Sequence, residues 1–263
     1  MDYFLSILAR KNTDLKKILP LEGKLRASAI LRNDYAGFRT AVDMGETSLS
    51  VIPEIAKNWP LSPTLTSSFD LKKQYQMYLQ GGASGISISV DPEVFHGSWD
   101  MVSTISRISA IPVLARDIFI HPVQVCQAIV SGADAINLMP AALTESELEP
   151  LYRMATGLGL DVMLEVHTLQ ELEAALDLDA EFICLNNTDL HTMQSDLSVT
   201  EKLIEEIPAS VTVLACGGIN SASDAQRMLE AGVNGVILQD SLAAQDIPQD
   251  FMADILSLRL AEE

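Results

Sequence analysis

The chain of 263 residues predicts a (β/α)8 TIM barrel preceded by an N-terminal helical extension. Eight short β-prone runs alternate with amphipathic segments from residue 48 onward, the repeat that such a barrel needs. Most of these runs are continuously apolar rather than alternating, as strands buried on both faces of a parallel sheet should be. A hydrophobic share of 48% is ample for one large core. A doubly wound open sheet would use fewer strands and usually a glycine-rich first turn, which is absent here.

The first 47 residues stand outside the repeat. Tyr3, Leu5, Ile7, Leu8 and Lys11 read as an amphipathic opening helix, and 28–32 with 38–42 as one or two more. The extension is therefore placed at 1–47, capping the barrel or roofing its mouth, and the barrel at 48–263. Strands are expected at 48–55, 85–90, 111–118, 135–139, 161–167, 181–187, 211–219 and 235–241. Helix signals fall between them. Ser68-Phe69-Asp70 precedes an amphipathic stretch from Leu71, and Pro122 is a first-turn proline. Thr168 and Glu171 form a capping-box pattern, and Gly232 is placed to end the helix that follows Ser223.

Seventeen Lys and Arg against 36 Asp and Glu give a net charge of -19. A field of that sign repels phosphate backbones and anionic lipid, so neither nucleic acid nor a membrane surface is an expected partner. A small-molecule ligand is. Composition does not separate monomer from homodimer. Cys126, Cys184 and Cys216 lie far apart in apolar surroundings, which suggests buried thiols of a cytoplasmic protein. The opening residues are charged too early for a signal peptide, and no apolar run nears the ~20 residues of a membrane span. His96, His121 and His191 have no metal-ligand spacing, so neither metal nor cofactor is expected.

Chemistry in this fold sits at the C-terminal ends of the strands. In order those ends carry Glu54, then Ser89 and Asp91, then Arg116 and Asp117. Asn137 follows, then Glu165 and His167, Asn186 and Asn187, Cys216 to Gly218, and finally Gln239 and Asp240. Carboxylates, amides and a guanidinium from different strands, converging on one mouth, can do acid–base work. They can equally be inward-facing polar groups that satisfy one another. A charge closing an apolar strand needs some reason to be buried.

In serial order, the runs Val51-Ile-Pro-Glu-Ile55, Ser87-Ile-Ser-Val-Asp91, Pro112-Val-Leu-Ala-Arg-Asp117, Leu164-Glu-Val166, Leu185-Asn-Asn187 and Gly217-Gly-Ile219 resemble the indole-3-glycerol-phosphate synthase family. The resemblance runs nearly end to end and includes the helical extension. It implies a carboxy-lyase of tryptophan biosynthesis, which decarboxylates an anthranilate-linked ribulose phosphate and closes it into an indole. It also implies catalytic roles for Glu54, Glu165 and Asn186, with Arg116 in place of the general-acid lysine. Phe95 and Leu190 would pack the aromatic ring, and Gly217, Gly218 and Asp240 would surround the substrate's phosphate.

The departures bear on activity. The strand-1 lysine of the family is Ala56 here, and Lys57 would point to the other face. Arginine at 116 keeps its proton, with a pKa above ~12. The family's strand-6 arginine is Thr188, its strand-7 glutamate–serine pair is Cys216-Gly217, and the serines of its phosphate loop give way to Trp59-Pro60-Leu61. Asp240 next to a phosphate dianion would cost several kcal/mol at an effective dielectric of ~20. The favoured expectation is a diverged relative whose ancestral activity is weak or lost. It would act on an altered small molecule or serve as a non-catalytic relative, with Asp91, Asp117 and Asp240 making the mouth acidic. The alternative is a working synthase that uses Arg116.

Overall fold

The apolar runs pair in chain order into a closed parallel barrel, with the last strand returning to the first. The computed structural model describes residues 3–43, 48–59 and 69–260. Its strands are β1 (Ser50–Ile55), β2 (Ile86–Ser89), β3 (Val113–Arg116), β4 (Ala135–Leu138), β5 (Asp161–Val166), β6 (Phe182–Asn186), β7 (Thr212–Cys216) and β8 (Gly235–Leu238). Each lies inside the run expected for it. The helices are α1 (Tyr3–Ile18), α2 (Glu22–Ala29), α3 (Phe38–Val42), α4 (Leu71–Gln80), α5 (Trp99–Ser106) and α6 (Pro122–Ser131). They continue as α7 (Glu145–Gly157), α8 (Leu169–Leu176), α9 (Ser198–Leu203), α10 (Ala222–Ala231), α11 (Asp240–Ala243) and α12 (Pro248–Leu256). No helix among the described residues is long and apolar enough to cross a membrane.

Local chemistry sets the helix ends. Asp70 caps α4 by accepting from the Lys73 amide at 3.0 Å, while Ser68 lies outside the described residues. Pro122 opens α6 as expected. Thr168 caps α8 through the Glu171 amide at 3.3 Å. The return bond of a full capping box goes elsewhere, because the Glu171 carboxylate accepts from the His167 amide at 2.9 Å and meets its ring Nδ1 at 3.0 Å. Gly232 ends α10 with φ +101°, a left-handed conformation that glycine adopts without penalty.

Side-chain direction alternates along each strand, so every second residue faces the barrel interior. Ile52, Leu114, Met163, Cys184, Leu214 and Ile237 belong to the inner cluster. Two residues further on, the same parity brings Glu54, Arg116, Glu165, Asn186, Cys216 and Gln239 inward at the mouth. The other parity packs on the helices in the larger outer core.

The extension serves both ends of the barrel. At the bottom α3 is a plug. Phe38 and Val42 are fully buried with the inner cluster, the Phe38 ring lies 6.1 Å from that of Phe182, and the Arg39 amide donates to Asp161 at 2.9 Å. A Cβ on Gly85 would come within 2.8 Å of Phe38, so the plug fits where a side chain is missing. At the top α1 is the roof. Two sequence expectations need correction here. Residues 28–32 are not a helix of their own, because α2 already ends at Ala29, having buried Leu25 and Ala29 one turn apart. On α1 the inward face carries Phe4 rather than Leu5. Phe4 is 5% exposed and Leu5 56%, because the 4, 7, 11 spacing aligns Phe4, Ile7 and Lys11.

Candidate active site

A cavity of about 280 Å³ opens at the C-terminal end of the strands, under α1. The residues to which the resemblance gives catalytic or binding roles line it: Glu54, Arg116, Glu165 and Asn186 at its floor, with Phe95, Leu190, Gly217, Gly218 and Asp240 around them, whereas His167, Asn187 and Cys216 do not.

The floor is a closed hydrogen-bond network. Arg116 donates to Glu54 Oε2 at 2.5 Å and to Glu165 Oε1 at 2.7 Å, one guanidinium bridging two carboxylates. Glu54 also accepts from Gln239 at 3.0 Å and from the Ser89 hydroxyl. Glu165 also accepts from Asn186 at 2.8 Å and from Asn137 at 3.0 Å. The side chains of Glu54, Glu165 and Arg116 are 1%, 3% and 10% exposed, so these ion pairs are shielded from water. Burial alone would lower the Arg116 pKa, but Glu165 and Glu54 outweigh it and hold the group well above its ordinary value. Burial pushes Glu165 up. Arg116, His167 and the bonds from Arg116 and Asn186 more than reverse that, so its carboxyl titrates below the usual range.

Charge at the rim is arranged differently. Lys11 of α1 reaches down to bond Asp117 and to pair with Asp91 at 2.9 Å, while Arg10 donates to Asp91 at 2.6 Å. Asp91 Oδ1 meanwhile accepts from the Glu93 and Val94 amides at 2.9 and 2.7 Å, which holds the turn after β2. Burial opposes the charge on Asp91, yet Lys11, the Val94 amide and Arg10 keep it below its ordinary pKa. For Asp117 burial wins over Lys11 and its pKa is raised. The expectation of an acidic mouth is therefore corrected in part. Asp91 and Asp117 are neutralised from the extension, because Lys11 shares the face of α1 that Phe4 and Ile7 turn to the cavity. Lysine at that spacing was the available signal, and on sequence alone it reads as a solvated edge.

The other strand-end residues divide by parity. Asn187, next to inward Asn186, instead clamps loops: it donates to the Cys216 carbonyl at 3.0 Å and accepts from the Thr200 hydroxyl at 2.8 Å. Cys216 packs against Cys184 with the sulfurs 3.5 Å apart, and all three cysteines are buried and free. Lys57 lies 5.5 Å from the centre of the Phe69 ring, outside the cavity lining, as the other-face expectation requires. Trp59 is 5% exposed and packs edge-on against Phe95 at 5.9 Å, walling the cavity beyond the end of β1. Pro60 and Leu61 lie outside the described residues. Gly217 and Gly218 have φ of +75° and +70°. A Cβ on Gly217 would meet the Thr188 hydroxyl at 2.4 Å, so the chain turns there only without a side chain.

The sequence pattern described as "Indole-3-glycerol phosphate synthase" matches residues 5–255. The chain belongs to that family. Relatives of the same description include one from Dehalococcoides mccartyi, 36% identical over 87% of this chain and 89% of its own length. Another, from Opitutus terrae, is 32% identical over 96% and 98%. A third, from Crocosphaera subtropica, is 33% identical over 89% and 81%. Among solved structures, thiamine phosphate pyrophosphorylase from Pyrococcus furiosus superposes with a TM-score of 0.60 at 17% identity, over 82% of this chain and 95% of that one. That likeness concerns the barrel alone. At the floor of its mouth this member of the indole-3-glycerol phosphate synthase family sets two strand-end glutamates and an asparagine around a guanidinium that carries no transferable proton at neutral pH.

Proposed function

We propose that this chain is a diverged indole-3-glycerol phosphate synthase-like barrel that binds a small molecule at its mouth and has weak or no ring-closing decarboxylase activity. One observation carries the reading. Arg116, standing where the resemblance puts a general-acid lysine, is locked between Glu54 and Glu165 with its pKa driven upward. A general acid must release its proton near the working pH, and this group does not. Glu165 is held ionised, so it can accept a proton but has none to give at neutral pH.

What remains is binding and orientation. The guanidinium can stabilise developing negative charge, and Glu165 can act as a base towards a ligand above it. The aromatic wall of Trp59 and Phe95 can exclude water. Absence of a single preorganised charge-stabilising group typically costs ~10²–10³ in rate, and several differ here together. The convergence of Glu54, Glu165 and Asn186 on one cavity floor favours the rival reading, a working synthase. The test is turnover of the family substrate by the purified protein, beside complementation of a tryptophan auxotroph. Expected are a rate at least 10³-fold below an active relative, no growth, and partial recovery of rate in Arg116→Lys. Growth at normal rate would overturn the proposal.

A further inference from the structure

Charge at the floor of the cavity does not balance. At the rim, Asp91 and Asp117 are matched by Arg10 and Lys11. At the floor, Glu54 and Glu165 share Arg116 as their ion-pair partner among the described residues, two negative charges against one positive. The excess lies out of water, because both floor carboxylates are buried. An unbalanced buried charge is costly, and a bound countercharge relieves that cost.

Geometry leaves room for one. Glu54 accepts three hydrogen bonds, from Ser89, Arg116 and Gln239, and Glu165 three, from Arg116, Asn137 and Asn186. A carboxylate offers about four acceptor positions, so each keeps one for a ligand. Above them the wall is apolar and aromatic: Trp59 edge-on to Phe95, with Phe4 on the roof. Aromatic faces attract cations as well as flat apolar groups. A volume of about 280 Å³ suits a small ligand.

We infer that the cavity takes a small ligand with a flat aromatic body and one positively charged amine, the amine seated over Glu54 and Glu165 and the ring against Trp59 and Phe95. This rests on the reading of the site as a diverged ligand pocket. It excludes an anionic ligand there.

The test is calorimetric titration of the wild-type protein at pH 7 with three probes that share a ring and differ in charge: naphthylmethylamine, naphthalenemethanol and naphthoate. Inorganic phosphate is the fourth probe. The amine should bind at least tenfold more tightly than the alcohol, the carboxylate more weakly than the alcohol, and phosphate not measurably. In Glu54→Gln, which removes one floor charge, the advantage of amine over alcohol should fall several-fold. Equal affinity for amine and alcohol, tighter binding of naphthoate or phosphate, or no binding of the ring at all would each overturn the inference. Turnover of the family substrate is scored separately. Normal turnover sinks the reading of lost activity and, because the family substrate is an anion, this inference with it, whereas absent turnover with the wrong order of the four probes sinks the inference alone.

Discussion

The floor and the rim of the mouth hold the same kinds of residue in different charge balance. At the floor, Glu54 and Glu165 share Arg116, which leaves one net negative charge almost entirely out of water. At the rim, Asp91 and Asp117 meet Arg10 and Lys11, two acids with two bases. A list of acidic residues at strand ends therefore does not measure the acidity of a mouth. The rim cluster ties a roof to the barrel, and its cations come from a segment outside the repeat. Among the described residues the floor triad has no further ion pair, so its excess charge is available to a ligand.

Removing the shared cation should produce the largest effect. Arg116→Met strands two buried carboxylates, and breaking a buried pair by removing one partner costs about 3–5 kcal/mol. Urea unfolding should register a loss of that order, and much of it should return in Arg116→Lys, which restores the charge. A loss under about 1 kcal/mol would mean that the triad is far wetter than its exposure indicates.

Lys11→Met comes next, at about 3 kcal/mol, because Asp117 is left covered without its counter-charge. The loss should be local, read as faster amide exchange in α1 while the strands keep their protection. Its pH dependence follows from the directions of the shifts. The Lys11 pKa is raised from 10.5, since its two aspartates outweigh burial, so its contribution is complete below that value and fades as pH rises through the higher folded value. Asp91 is lowered from 3.8, so its contribution is complete above that value and is lost as pH falls through the lower folded one. Asp117 is raised from 3.8, and its protonation in acid relieves the burial cost and favours the fold. Protection of α1 should hence fall on the alkaline side as Lys11 loses its proton, whereas in acid the loss at Asp91 and the gain at Asp117 oppose each other.

The barrel was legible because parity and apolar runs are local properties. Once Ile52, Leu114, Met163 and Cys184 face inward, Glu54, Arg116, Glu165 and Asn186 must do so two residues later. The strand-end candidates therefore followed from the repeat. The pairing of Lys11 with Asp117 did not, since it spans 106 positions and joins two elements whose docking no local pattern fixes. Leu5 failed for a related reason. Tyr3, Phe4 and Leu5 are all apolar, so the sequence leaves the phase of α1 open by one residue, and only the aromatic wall and the rim aspartates select Phe4. Helix α2 was misplaced because its buried pair, Leu25 and Ala29, is weaker in hydropathy than the exposed Ile30 and Leu31 that follow.

Two acid-to-amide exchanges of the same chemical size sharpen the contrast, and their effects should be the smallest and should differ. Asp91→Asn keeps an oxygen for the Glu93 and Val94 amides but takes a charge from the balanced rim, leaving Lys11 with Asp117 and Arg10 with Asp14 alone. A cost of about 1–2 kcal/mol is expected from losing hydrogen bonds to charged donors. Glu54→Gln takes a charge from the unbalanced floor. Its amide oxygen can still accept from Arg116 and Gln239, and its amide nitrogen can donate to the Ser89 hydroxyl, which rotates to accept. With every partner retained and the excess charge gone, stability should change by less than about 0.5 kcal/mol, in either direction. Urea midpoints of the two variants, measured side by side, decide the matter. If Glu54→Gln proves the more damaging of the pair, the floor carries no charge excess that the fold has to tolerate, and the rim and floor are balanced alike.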